Sequence, residues 1–110
     1  MDRETFLRLV ELLVAQSETT GQTLAMCYFA PLATRADTFD RPLVVTRNLA
    51  DLPSLYDWED VHGSPSNIWP QDRSWFVYTD WDLCGTRVSG TAQLIASVVA
   101  DPQLETISYP

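Results

Sequence analysis

Three aspartates, Asp72, Asp80 and Asp82, sit within one aromatic stretch of this 110-residue chain, Trp69-Pro70-Gln71-Asp72-Arg73-Ser74-Trp75-Phe76-Val77-Tyr78-Thr79-Asp80-Trp81-Asp82. An Asp-x-Asp pair can hold Mg²⁺ or Ca²⁺ when more oxygen ligands converge on it. It can also divide acid and base roles in proton transfer. Here no third or fourth acid follows at the spacing of a calcium-binding helix–loop–helix. Aspartate also collects in turns for conformational reasons, because its side chain bonds to its own backbone two residues on. The spacing therefore predicts turn acids, with no metal and no cofactor.

The other reactive side chains are scattered. His62, the only histidine, lies in His62-Gly63-Ser64-Pro65-Ser66-Asn67. It could act as a base toward Ser64 or Ser66, but no acid stands at a defined spacing to orient it, and Gly-x-Ser-x-Gly is absent. Cys27 and Cys84 form no Cys-x-x-Cys pair, and structural zinc sites draw their ligands in close pairs. Two separated cysteines are most simply free thiols. No glycine pattern for cradling phosphate occurs. These failures predict a chain that is not an enzyme.

Charge supplies a positive indication. The chain carries 15 acids against 7 bases, all of them arginine, for a net charge of −8. An acidic surface repels nucleic acid, whose binding depends on a basic face that releases counterions. It steers basic proteins instead, although net negative charge also serves solubility alone. No apolar run reaches the roughly 20 residues that cross a bilayer, and Met-Asp-Arg-Glu leads straight into an amphipathic segment without a signal-peptide layout. The expectation is a cytoplasmic protein that binds neither membrane nor nucleic acid.

Two windows interleave acids with tryptophan. In the first, Trp58, Glu59 and Asp60 follow Asp51 and Asp57. In the second, Trp69, Asp72, Asp80, Trp81 and Asp82 surround a strand-like run. Tryptophan supplies large contact area at low entropic cost, so exposed rings beside charge are candidate binding anchors. The competing reading makes the acids a solvated surface and the rings core, which strand alternation favours for Trp75 and Tyr78. The eight residues Trp58, Glu59, Asp60, Trp69, Asp72, Asp80, Trp81 and Asp82 are the candidate partner-binding set.

The elements that must position these residues follow from periodicity. Residues 3–16 read as a helix: Phe6, Leu9, Val10 and Leu13 make one apolar stripe, Asp2 caps it, and Glu4 and Arg8 are spaced to pair. Gly21 stands where a C-terminal cap would fall. Residues 22–30 read as a strand apolar on both faces, hence central, and residues 43–46 as a shorter one. Residues 48–70 are the least regular, with a short helix near 51–58 and a loop through 62–67. Residues 74–80 are the clearest strand, with Trp75, Val77 and Thr79 on one face and Phe76 and Tyr78 on the other. Residues 86–89 return as its hairpin partner. Residues 91–100 read as a second main helix, capped by Ser89 or Thr91, with Leu94, Ile95, Val98 and Val99 as its apolar stripe; Asp101-Pro102 ends it and residues 104–108 form a last strand. This order, without regular strand–helix alternation, predicts a single α+β domain: a mainly antiparallel sheet with two main helices packed on one face.

The stretch Trp69-Pro70-x-Asp72-Arg73-Ser74-Trp75-Phe76-Val77-Tyr78-Thr79-Asp80-x-Asp82, followed by Gly85-Thr86-x-Val88-Ser89-Gly90, resembles a group of small uncharacterised proteins, mainly actinobacterial. The likeness continues through the second main helix to Asp101-Pro102-x-Leu104-Glu105, and it implies no catalytic residue. In character such chains are similar to immunity proteins and antitoxins, which block a basic nuclease by covering its active site. The expectation is a non-enzymatic inhibitor of a basic toxin or nuclease, acting as a monomer or homodimer. Two alternatives stand beside it: a small-molecule-binding or hydrolytic domain with a pocket under Trp69 and Trp75 using Asp80 or Asp82, and a structural subunit that homodimerises through its sheet edge.

Overall fold

The computed structural model describes residues 1–16, 23–30, 43–58, 61, 63–80, 85–104 and 106. Helix α1 spans Arg3–Gln16 and buries Phe6, Leu9, Val10 and Leu13, the stripe that the 3.6-residue period requires. Asp2 Oδ1 accepts the backbone N–H of Thr5 at 2.8 Å, satisfying one of the donors exposed at a helix start. The expected Glu4–Arg8 pair does not form. Arg8 instead donates from Nη1 to Glu11 at 2.7 Å and from Nε to Asp101 at 2.7 Å. Asp101, its side chain only 3% exposed, gives the guanidinium a partner screened from water, which an exposed carboxylate on the same helix cannot match.

The strands are β1 (Leu24–Phe29), β2 (Leu43–Asn48), β3 (Asn67–Pro70), β4 (Phe76–Asp80) and β5 (Gly85–Ser89). They form one sheet in the order β2-β1-β3-β4-β5, with every neighbouring pair antiparallel. β1 therefore has a partner on each side, as its two apolar faces require: Cys27 stands opposite Val45 of β2 and Ile68 of β3. Between β2 and β3 the chain makes a 3₁₀ turn at Leu49–Asp51 and a short helix α2 at Pro53–Tyr56.

β3 corrects the sequence reading, which left residues 48–70 irregular. Four residues are too few for a clear alternation, and Pro70 disguises the last of them. What makes them a strand is the pair of ladders on either side, to β1 and to β4. Buried Ser66 leads into it: its N–H donates to Tyr28 O at 2.8 Å, its carbonyl accepts Thr79 N–H at 2.8 Å, and its Oγ accepts Ala30 N–H at 3.1 Å. Seryl oxygens that close the backbone accounting of two strands in this way are structural.

Helix α3 spans Ala92–Ala100, and of the two candidate caps Thr91 is the one used, its Oγ1 accepting Leu94 N–H at 3.2 Å. Leu94 and Val98 are buried, Ile95 is intermediate and Val99 is exposed, so the stripe is narrower than its sequence suggests. Residues 102–104 turn rather than beginning a strand, with Leu104 N–H donating to Asp101 O at 3.2 Å. Of the expected last strand, Glu105, Ile107 and Ser108, like Gly21, lie outside the described residues.

The core is one cluster in which Phe6, Leu9, Val10 and Leu13 of α1 and Leu94 and Val98 of α3 meet Ala25, Cys27, Phe29, Ile68 and Val77 of the sheet. The helices thus cover a single sheet face, and the α+β architecture read from the sequence is the one found. Gly90 joins β5 to α3 where space is short: a Cβ there would lie 2.9 Å from Leu94 Cδ2 and 3.0 Å from Trp75 Cβ.

Two measurements check this packing. Gly90→Ala overpacks the Trp75–Leu94 contact and should lower stability by about 1–3 kcal/mol in urea unfolding. The second concerns Asp101, whose carboxyl is held below the usual carboxylate range first by the hydrogen bond from Arg8, with the Gln103 N–H adding to it. The unfolded chain binds this proton more readily, so the contribution is full above the unfolded value of about 4 and is lost as pH falls through the lower folded value. Thermal melts from pH 6 downward to about pH 3 should show a shallower acid loss for Asp101→Asn than for the unaltered chain.

Candidate partner-binding face

With both main helices on one side, the other side of the sheet has no covering element among the described residues. Alternation decides what it shows, since successive side chains point to opposite faces. Ala25, Cys27, Phe29, Ile68, Val77 and Thr79 point inward and are buried. Their neighbours therefore point outward. The register aligns Val44, Tyr28, Asn67, Tyr78 and Arg87 in one row across the five strands. Thr46, Met26 and Trp69 begin the next row, which Phe76 and Ser89 complete.

The apolar members of these rows are open to solvent to an unusual degree: Val44 is 56% exposed, Phe76 41% and Tyr78 39%. Trp69 and Phe76 stack with centroids 6.0 Å apart and planes inclined by 23°. Such an offset pair of rings across two strands holds both side chains in place and adds to the stability of the pairing. Tyr78, expected in the core with Trp75, is thus half open on the outer face, whereas Trp75 is buried as expected. The parity that turns Trp75, Val77 and Thr79 inward necessarily turns Tyr78 out.

Among the candidate residues whose side chains are described, Trp58 and Trp69 stand on opposite sides of the sheet. Trp58 lies on the helix-covered side, edge-on to Phe29 at 6.3 Å and beneath the Arg47 guanidinium at 5.9 Å. Trp69 lies on the open side, so the sheet separates the two. Asp72 sits in an exposed turn after β3, where Arg73 N–H donates to Pro70 O at 3.0 Å. Its Oδ1 accepts Ser74 N–H at 3.0 Å, and this bond is the first cause of its lowered pKa. Arg73 there takes a left-handed φ of 60°. Asp72 is therefore a turn-forming acid, the conformational role open to it in the sequence. Asp80 closes β4, paired with Gly85 of β5. Glu59, Asp60, Trp81 and Asp82 lie outside the described residues, as do His62 and Cys84.

Among the described residues no three of His, Cys, Asp and Glu gather to hold a metal ion. Cys27 is fully buried, and loss of hydration pushes its thiol up to about 12, far from a reactive thiolate. The pocket imagined under Trp69 and Trp75 does not form between them, because the two rings lie on opposite sides of the sheet. A shallow cleft of about 430 Å³ does lie beside Trp75 and Phe76, between Arg73 and Thr91. No helix among the described residues is long and apolar enough to cross a membrane. No family model, curated protein or solved structure matches the chain.

Leu24, Met26, Tyr28 and Val44 belong to the open face but were not singled out from the sequence. A signal was present: β1 is apolar on both faces, and two helices suffice to cover only one. The thiol gives a direct check on which side is closed. A chain carrying Cys84→Ser should resist labelling by a maleimide in native buffer and label fully in denaturant; rapid native labelling would show that Cys27 is not sealed beneath the helices.

Proposed function

We propose that this chain is a non-enzymatic binding protein that covers a basic protein partner, in the manner of an immunity protein or antitoxin inhibiting a toxin or nuclease. The observation that carries the reading is the open sheet face, on which Tyr28, Trp69, Phe76 and Tyr78 accompany exposed Val44. Contiguous apolar surface of this kind marks an interaction site, and aromatic residues dominate the energetics of such sites. The net charge of −8 selects the sign of the partner and speeds its approach.

Ser64 and Ser66 are buried in the connection before β3, and Ser66 serves backbone donors and acceptors. The two arginines of α1 are engaged by carboxylates: Arg3 by Asp57, and Arg8 by Glu11 and Asp101. An inhibitor needs only a rigid surface, and the sheet supplies one. Its outer residues are set by backbone register rather than by loops, so little ordering is needed on binding.

The test is capture of the partner from the source cell, its purification, and titration against the chain and a Phe76→Ser variant. The expected outcome is a basic partner whose affinity falls at least tenfold for the variant, about 1.4 kcal/mol, and weakens with added salt. An acidic partner, or unchanged affinity for a properly folded Phe76→Ser chain, would overturn the reading.

A further inference from the structure

Among the described side chains, the outward sheet positions carry no acid in a strongly acidic chain. They hold one base, Arg87 on β5, whereas the chain as a whole carries −8. Several acids stand away from this face: Asp2, Glu4 and Glu11 at α1, Asp51 and Asp57 beside α2, and Asp101 at the end of α3. Charge of this size draws a basic surface from a distance. At the sheet, that surface meets rings in place of carboxylates.

An aromatic ring presents a negative face to a cation and is best matched by arginine, whose planar, weakly hydrated guanidinium stacks on it. An ammonium group holds its water more firmly and gains less. The chain already uses this pairing: the Arg3 guanidinium lies 4.8 Å from the Tyr56 ring centre, and that of Arg47 lies 5.9 Å from the Trp58 ring. On the open face the stacked Trp69 and Phe76 form the largest such platform, with Tyr28 and Tyr78 in the adjoining row on either side of Asn67.

We infer that the open sheet face is a receptor for guanidinium groups, and that the partner docks by laying arginine side chains on the Trp69–Phe76 platform. This rests on the reading of that face as the partner-binding surface and specifies what it recognises. The field of the whole molecule gathers basic proteins generally; the rings then favour those whose contact surface carries arginine over lysine. Carboxylates at the same positions would accept either.

The experiment titrates the isotopically labelled full chain with three peptides of equal length, alternating alanine with arginine, with lysine or with citrulline, the uncharged counterpart of arginine. The Trp69 indole N–H and the backbone amides of β3 and β4 report binding. The arginine peptide should shift these signals with an affinity roughly three- to fivefold above the lysine peptide, and the citrulline peptide should leave them in place. Trp69→Leu with Phe76→Leu keeps apolar area but removes the rings, and should abolish the arginine preference while circular dichroism stays unchanged. Equal shifts from citrulline and arginine would overturn the inference yet leave the face as a binding surface. Shifts confined to α1 and α2, or none on the face with any peptide, would overturn both.

Discussion

The structure turns on β1, a strand that is apolar on both faces and has a neighbour on each side. One face of it, Ala25, Cys27 and Phe29, closes the core beneath α1 and α3. The other, Leu24, Met26 and Tyr28, meets no helix among the described residues. A sheet in an α+β fold commonly shows polar residues to water on its uncovered side, because that side gains nothing from apolar ones. Here the register carries the apolar character outward across β3 and β4, where Trp69 stacks on Phe76. The aromatic outer face is thus a direct consequence of how the core is closed: the parity that buries Ile68 and Val77 turns Trp69, Phe76 and Tyr78 outward.

The helix side is held by packing and by charge at its margin. Arg8 ties α1 to the end of α3 through Asp101, and Arg3 ties the start of α1 to Asp57 just beyond α2. The first of these is screened from water and the second is exposed, so only the first contributes much beyond solubility. Both pairs place acids on the helix-covered half of the molecule and spend basic residues there. The two sides of the sheet thus differ: the helix-covered side carries these ion pairs, and the other shows aromatic rings. The tryptophans follow the same division: Trp58 packs under the helix side against Phe29, and Trp69 serves the open side.

Much of this was legible in the chain. The stripe of α1 and its Asp2 cap, the centrality of β1, a strand within 74–80, found at Phe76–Asp80, and the helix α3 each follow from local patterns. β3 was not legible, because four residues ending in proline carry no alternation and become a strand only between two others. The open face was half legible. The two-sided apolarity of β1 implied it, and the acid–tryptophan spacing pointed to Trp69 on it but equally to Trp58 and Asp72, which serve the covered side and a turn.

By itself the sequence determined the helices, the strongest strands, the net charge and the lack of a nucleophile–base pattern, since these depend on neighbours within a few residues. Only the tertiary structure decided that Trp58 and Trp69 stand on opposite sides, that Arg8 chooses Asp101 over Glu4, and that Tyr78 faces out. Each of those outcomes depends on which strand lies beside which and on the side from which the helices approach. Sheet order and layer contact join residues tens of positions apart, such as Met26 and Trp69. No local period encodes that, and the burial of a single shared core fixes it.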